Sequence, residues 1–317
     1  MLEPVLEFSD LPQGRVFAPV PVTLDDGLVD AYLSATGMHH ALLRGPQAGV
    51  PMSLMTMVRY SKTAIAGRWP SGTVQLDQRM RSLRALRRGE TVSIEYWVAN
   101  AEVVGDRPYF ELAMRVRDAH ADVIGESSGR SLWGGPVGQA RAASAVQGRR
   151  AGPEAGEGAA GAQGAQAAGR ALGAQGAGEA ETAGTQGAKG AGEAAAATRI
   201  GPLCGSFSMD RLRAFGEVAA ARDPIHLDPE FARTTRYGRN IAQGRLAMTL
   251  LEQLLLDHFG PRWLERGWMT VRFRRPVFVD QPLQAWAIAK PDTPGIWRLS
   301  CRNPEGDEVI EGEGGIG

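Results

Sequence analysis

Apolar and polar positions alternate through Val92, Ile94, Tyr96 and Val98 within ETVSIEYWVANAEVV (Glu90–Val104). That alternation predicts a strand with one face in a core and the other toward solvent. Strand-like runs lie on either side of it, GTVQLDQRMRSLR before and PYFELAMRVRDA after, with a shorter DVIGESSGRSLWG behind them. Turn residues such as Arg88-Gly89 and Gly105-Asp106 separate them. Upstream the spacing is helical. VTLDDGLVDAYLSATG (Val22–Gly37) sets Leu24, Leu28, Val29, Tyr32 and Leu33 at helix spacing and stops at glycine, while PMSLMTMVRYSKTAIAG (Pro51–Gly67) offers Met52, Met55, Val58 and Ile65 for packing. Helices followed by consecutive strands predict an antiparallel sheet wrapped on a helix.

The same order returns after Arg199. SMDRLRAFGEVAA reads as a helix capped by Ser208, with Leu212, Phe215 and Val218 on one face. An Asp223-Pro224-Ile225-His226 loop follows, then a helix from about Gly244 to Phe259. Leu246, Met248, Leu250, Leu251, Leu254, Leu255 and Phe259 make that helix apolar around most of its circumference, so it is expected to be covered on several sides. MTVRFRRPVF, LQAWAIAK, IWRLSCRN and EVIEGEGG read as the closing strands. The chain is thus an internal duplication of short helix, loop, buried helix and strands. Laying Tyr32 on Phe215 puts Met38 opposite Ala221, His40 opposite Asp223 and Leu43 opposite His226, so the first half lacks the residues that could carry chemistry in the second.

Composition divides the halves. From about Gly134 to Ala197 the chain is alanine, glycine, glutamine and glutamate, with almost nothing bulky besides Val137, Val146 and Leu172. Such a segment cannot bury enough apolar surface to offset its chain entropy, so residues 136–198 are read as a long disordered linker between domains 1–135 and 199–317. Lysine plus arginine number 35, as do aspartate plus glutamate, so no net field draws in nucleic acid or an anionic membrane. Cys204 and Cys301 stand in no metal or redox spacing and read as small buried or half-buried side chains; no metal site and no cofactor is expected. The acidic, proline-containing start lacks the features of an export signal, and Glu252 and Gln253 interrupt the most apolar helix, so a cytoplasmic protein without a membrane span is the expectation.

The run PIHLDPEFA, the spacing to Gly244, and the later VRFRRPVFVDQPL resemble the MaoC-like, R-specific enoyl-CoA hydratase and acyl dehydratase family. In that family an Asp-x-Asn-Pro-x-His motif is followed some twenty residues later by a His-Gly pair opening the central helix. Three positions depart: Ala221 stands where the family has its catalytic aspartate, Asp223 where it has asparagine, and Gln243 where it has histidine. The resemblance implies an α+β, double hot-dog fold. It also implies a lyase acting on a coenzyme A or acyl-carrier thioester, which adds water to a trans-2-enoyl group or removes it from a 3-hydroxyacyl group. Coenzyme A would enter only as part of the substrate, and a homodimer of double hot dogs is open as the assembly.

Carried over residue by residue, His226 is the acid/base group, and Gly244 at the helix start offers the backbone N–H for the thioester oxygen. A helix N-terminal N–H suits the enolate-like charge that forms there. Asp223 is a candidate for orienting His226 or sharing the water, and equally a turn residue before Pro224. Asp228 reads as a helix cap ahead of Pro229 and Phe231. Gln243, Ile241, Arg239 and Arg275 are candidates for binding substrate, Gln243 without the capacity to transfer a proton. Two other readings keep the thioester: an accessory protein with weakened catalysis, motivated by Ala221, and an acyl-CoA thioesterase, since fold alone does not fix function.

Overall fold

Val20 and Val22 point inward and Pro21 and Thr23 outward on β1 (Val20–Thr23), the first strand of a computed structural model that describes residues 4–45, 48–134 and 198–317. Apart from Thr198, the segment read as a linker lies outside those residues. Beyond β1 the Asp25 carboxylate accepts the Leu28 N–H at 2.8 Å and opens the helix Asp26–Thr36; Gly37, at φ 74°, closes it by donating to the Leu33 carbonyl at 2.8 Å. A two-stranded ladder pairs β2 (Gly49–Val50) with β5 (Leu86–Arg87). The second helical stretch is shorter than its apolar spacing predicts. It is a 3-10 turn, Met52–Thr56, then a helix of two turns, Val58–Ile65, that Ala66 ends in the left-handed region. β3 (Val74–Gln75), β4 (Asp77–Ser82), β6 (Thr91–Val104), β7 (Arg107–Arg117) and β8 (Val123–Leu132) complete the first half.

The second half begins with a strand that no alternation announced, β9 (Arg199–Gly205). The helix Met209–Ala219 is capped by Ser208, as its sequence predicts. Two short helices follow, Pro224–Leu227 and Pro229–Thr234, then the central helix Gly244–Phe259 and a further turn, Pro261–Arg266. The closing strands are β10 (Gly267–Phe273), β11 (Leu283–Ala289), β12 (Ile296–Arg302) and β13 (Glu308–Ile316). β10 stops at Phe273, ahead of Arg274-Arg275-Pro276, because proline cannot donate to a ladder. Cys301 is buried as expected, but Cys204 is exposed because it lies on edge strand β9.

Among the described residues the main sheet has eleven strands and runs β1-β6-β7-β8-β4-β10-β13-β12-β11-β9, with β3 beside β8. The path is symmetric about its middle. β1, β6, β7, β8 and β4 correspond to β9, β11, β12, β13 and β10, and the halves meet where β4 pairs antiparallel with β10, Met80 facing Met269. The helices obey the same two-fold relation: Asp26–Thr36 and Met209–Ala219 differ by a shift of 183 residues, and they pack together, with the Tyr32 and Phe215 rings 6.3 Å apart. This is the double hot-dog arrangement.

The central helix sits inside the second half's strands and against the 3-10 turn of the first half. Leu246, Leu251, Leu255 and Leu256 are fully buried, each stabilising the fold by roughly 1.5–3 kcal/mol relative to exposure. Glu252 and Gln253 are buried as well, because the first half covers the helix face that a single domain would leave wet. Gln253 accepts the His39 N–H at 3.1 Å, and Glu252 accepts the Ser53 N–H at 3.4 Å. Among the described residues no helix is long and apolar enough to cross a membrane.

Candidate active site

His226 lies on one helical turn, where the sequence reads as a loop. Asp223 is its N-cap, the carboxylate accepting the Ile225 N–H at 3.2 Å, and Pro224 occupies the first helical position, where its missing N–H costs nothing. The His226 N–H donates to the Asp223 carbonyl at 2.9 Å. Asp228 caps the next helix as predicted, its carboxylate accepting from Glu230 and Phe231 at 2.9 and 3.1 Å. Two consecutive Asp-Pro pairs thus build two consecutive capped turns.

The imidazole is anchored from the other side. Nδ1 is 2.8 Å from the carbonyl oxygen of Ile241, and because a carbonyl only accepts, Nδ1 carries the proton. In the neutral ring Nε2 is therefore the basic atom, held in a fixed direction. The Ile241 carbonyl is itself fixed: Asn240 Nδ2 donates to the Ile225 carbonyl at 3.2 Å, Ala242 N–H to the Val277 carbonyl at 2.7 Å, and Ile241 bridges to Phe278. Burial depresses the His226 pKa below the usual 6.5, against the opposing pull of the Ile241 carbonyl and the Asp223 carboxylate. The ring is consequently neutral near pH 7, the state a base requires.

Three residues past Ile241 the central helix begins. Its first internal bond runs from the Ala247 N–H to the Gln243 carbonyl at 3.1 Å, so the N–H groups of Gly244, Arg245 and Leu246 have no acceptor within the helix. A Cβ on Gly244 would meet the Phe273 ring at 3.2–3.4 Å, closer than side chains ordinarily approach, so the glycine keeps this end of the helix close to Phe273. Because Ile241 holds the imidazole and leads into the helix, His226 and the Gly244 N–H belong to one rigid unit.

Gln243 occupies the cap position without capping. It is 4% exposed, and its Nε2 donates to the carbonyls of Leu212 and Ala221 at 3.1 and 3.3 Å. Both partners only accept, which fixes the amide orientation and leaves Oε1 buried with no partner. Ala221 contributes a carbonyl to Gln243 and a methyl group to the core edge, and has no proton to exchange. The remaining candidates make other contacts. Arg239 lies over the Phe278 ring at 4.1 Å, and Arg275 pairs with Asp307 at 3.3 Å with its side chain 58% exposed. Ile241 takes part through its carbonyl.

The degenerate half repeats this turn. His40 caps a 3-10 turn, Ala41–Leu43, its Nδ1 accepting the Leu42 N–H at 3.1 Å, and the same shift of 183 residues carries His40, Leu42 and Leu43 onto Asp223, Ile225 and His226. Leu43, fully buried, fills the place of the imidazole. His39 and His40 are loop-forming residues; His39 Nδ1 lies 3.0 Å from the Gly37 carbonyl. Among the described residues no cluster of side chains is suited to holding a metal ion.

Residues 201–291 match the family model described as MaoC like domain. A mitochondrial 3-hydroxyacyl-[acyl-carrier-protein] dehydratase of Arabidopsis thaliana is 27% identical over 115 residues, covering 34% of this chain and 68% of the relative. An (R)-specific enoyl-CoA hydratase of Aeromonas caviae is 32% identical over 79 residues, covering 25% of this chain and 59% of the relative. Over nearly the whole chain the fold is similar to a MaoC-like dehydratase, with a TM-score of 0.66 at 15% identity, covering 97% of this chain and 99% of that one. It is also similar to a Mycobacterium tuberculosis protein described as having a double hotdog fold, with a TM-score of 0.55 at 15% identity over 98% and 97% of the two chains.

Proposed function

With residues 201–291 belonging to the MaoC-like family, we propose that the chain is a hydro-lyase acting on acyl thioesters, adding water to a trans-2-enoyl group or, in reverse, dehydrating a 3-hydroxyacyl group. The observation that carries this reading is the imidazole fixed through Nδ1 by Ile241, beside a helix N-terminus whose Gly244 N–H is uncommitted within the helix. Water gives a proton to His226 Nε2 as its oxygen bonds to the β-carbon. The negative charge that passes to the thioester oxygen is met by the Gly244 N–H. The imidazolium then returns the proton to the α-carbon, so one group serves as base and acid. The hydroxyl and hydrogen of one water molecule are both accounted for, on the same face of the double bond.

Ala221 removes the second proton carrier, so the burden falls on His226. Asp223 acts as a positioning residue: its carboxylate caps the turn that holds the imidazole. Gln243 ties Ala221 to Leu212 through its Nε2 and keeps Oε1 buried with no partner.

The test is loss of the enoyl-thioester absorbance on mixing the protein with trans-2-enoyl-CoA esters. His226→Ala is expected to lower kcat by about 10²–10⁴-fold while thioester binding persists, the range for removal of a general acid/base. Tight binding with no turnover in the native protein would assign the accessory role instead, and release of free thiol would assign a thioesterase.

A further inference from the structure

Three hydrogen-bond donors are buried without acceptors at the seam between the halves. Tyr60, on the helix Val58–Ile65, is 5% exposed, and Tyr96, on the inward face of β6 beneath that helix, is 4% exposed. Arg245 is the second residue of the central helix and reaches across the seam, its Nη1 donating to the Thr56 carbonyl just ahead of the Val58–Ile65 helix. Tyr60 Oη, Tyr96 Oη and Arg245 Nε are all sealed from solvent, and none has a hydrogen-bond partner. Tyr60, alone of the three, also lines a groove of about 790 Å³ between β1 and three helices.

The chemistry of the three atoms selects the ligand. A phenol can donate or accept, but the Nε–H of a guanidinium only donates, so a group answering all three must be rich in acceptors. The guanidinium charge has no carboxylate against it: among the described residues no ion pair involves Arg245. Glu252, the carboxylate on the same helix, lies roughly 10 Å further along the axis and accepts from Ser53. Burial lowers the Arg245 pKa and raises those of both tyrosines, as expected for polar groups enclosed by the fold. An anion with two acceptor oxygens meets each requirement, and the planar guanidinium suits a carboxylate.

We propose that Tyr60, Tyr96 and Arg245 form an anion subsite that binds a carboxylate at the far end of the acyl chain. The inference rests on the hydro-lyase reading and narrows its substrate class. Arg245 directly follows Gly244 at the start of the central helix, so thioester oxygen and carboxylate would be held at the same helix end, which favours a short acyl chain. The substrate is then a short trans-2-enoyl thioester with a terminal carboxylate, and the first half supplies the walls that recognise it.

The experiment compares kcat/KM for glutaconyl-CoA, which ends in a carboxylate, with that for trans-2-pentenoyl-CoA, which ends in a methyl group. The native protein is expected to favour glutaconyl-CoA by about 100-fold, Arg245→Met to abolish the preference, and Tyr60→Phe and Tyr96→Phe each to reduce the ratio by about 10-fold. The tyrosine variants keep the ring and therefore keep the test meaningful if Arg245→Met does not fold. Equal use of both esters by the native protein, or a ratio unmoved in both tyrosine variants, would overturn the subsite. If neither ester is hydrated, calorimetric binding separates the two readings. Tighter binding of glutaconyl-CoA that is lost in Tyr96→Phe upholds the subsite and removes the hydro-lyase; equal binding of the two esters removes both.

Discussion

Glu252→Gln is expected to stabilise the protein at alkaline pH and to change little in acid. Glu252 is fully buried in the central helix, and burial raises its carboxyl from the usual 4.5 to about 7. One carboxylate oxygen accepts the Ser53 N–H at 3.4 Å, Ser53 Oγ accepts the Tyr32 hydroxyl at 2.6 Å, and the second carboxylate oxygen has no hydrogen-bond partner. The folded state therefore holds the acid more tightly than the unfolded chain does. The favourable contribution is fully present below pH 4.5 and is lost as pH rises through about 7, above which the carboxylate must be buried charged. At about 1.4 kcal/mol per pH unit, the interval between 4.5 and about 7 corresponds to about 3 kcal/mol as an upper bound. Glutamine keeps the shape and an acceptor for Ser53 and carries no charge, so the variant is expected to be more stable by up to about 3 kcal/mol at pH 8.5 and nearly equal to the native protein at pH 4.5. Urea unfolding at the two pH values measures this directly, as a shift in midpoint with unchanged slope. The same stability difference at both pH values, or a less stable variant at pH 8.5, would refute the reasoning.

Ala221→Asp returns a carboxylate to the place where the family carries one, and is expected to raise kcat for enoyl-thioester hydration by about 10-fold or more, measured against the native protein at pH 7. Gly244→Ala and Gly244→Pro separate space from hydrogen bonding: both put a Cβ against the Phe273 ring, but only proline removes the N–H. Proline is tolerated at a first helical position, so Gly244→Pro is expected to cost about 10²–10³-fold more in kcat than Gly244→Ala, and equal losses would dismiss the N–H as the oxyanion donor. Asp223→Asn keeps an N-cap and is expected to retain hydration within a few-fold, whereas Asp223→Ala should cost about 1 kcal/mol in denaturant unfolding; a kcat that collapses in the asparagine variant would make Asp223 a proton carrier.

Much of the architecture was legible because its determinants are local. The central helix has the expected bounds since Gly244 and Gly260 bracket an apolar run, and Asp228 caps its helix since Asp-Pro supplies both cap and first residue. β9 was not legible. It is an edge strand containing Gly201 and Pro202, and its side chains alternate too weakly between buried and exposed to leave a period-two signal. The segment carrying His226 reads as a loop although Asp223-Pro224 is the same cap signal as Asp228-Pro229; a helix of four residues leaves no apolar period to support the cap. The burial of Glu252 and of the Arg245 Nε was not legible for a different reason. Each is polar in an apolar helix, and only the approach of the first half, which no local pattern encodes, buries the Glu252 side chain and the Nε of Arg245.

The duplicated turn separates what belongs to the fold from what belongs to the chemistry. His40 and Asp223 are different residues making one bond, to the N–H two residues on, at positions the two-fold relation makes equivalent. A cap that survives where no imidazole follows it serves the backbone, and that argues for Asp223 as a support of His226 and against it as a replacement for the carboxylate missing at Ala221. Leu43 and His226 differ in the opposite sense: the turn is kept while its third residue changes from a buried hydrocarbon to a basic nitrogen held in place by Ile241. The central helices diverge likewise, Met57 and Gln243 entering at nearly the same backbone angles, but the first continuing for 8 residues and the second for 16. Tyr60 and Tyr96 of the first half and Arg245 of the second each keep a buried polar atom with no partner. On the proposed reading, the second half carries the reacting atoms and the first half, freed from catalysis, carries the groups that select the acyl chain.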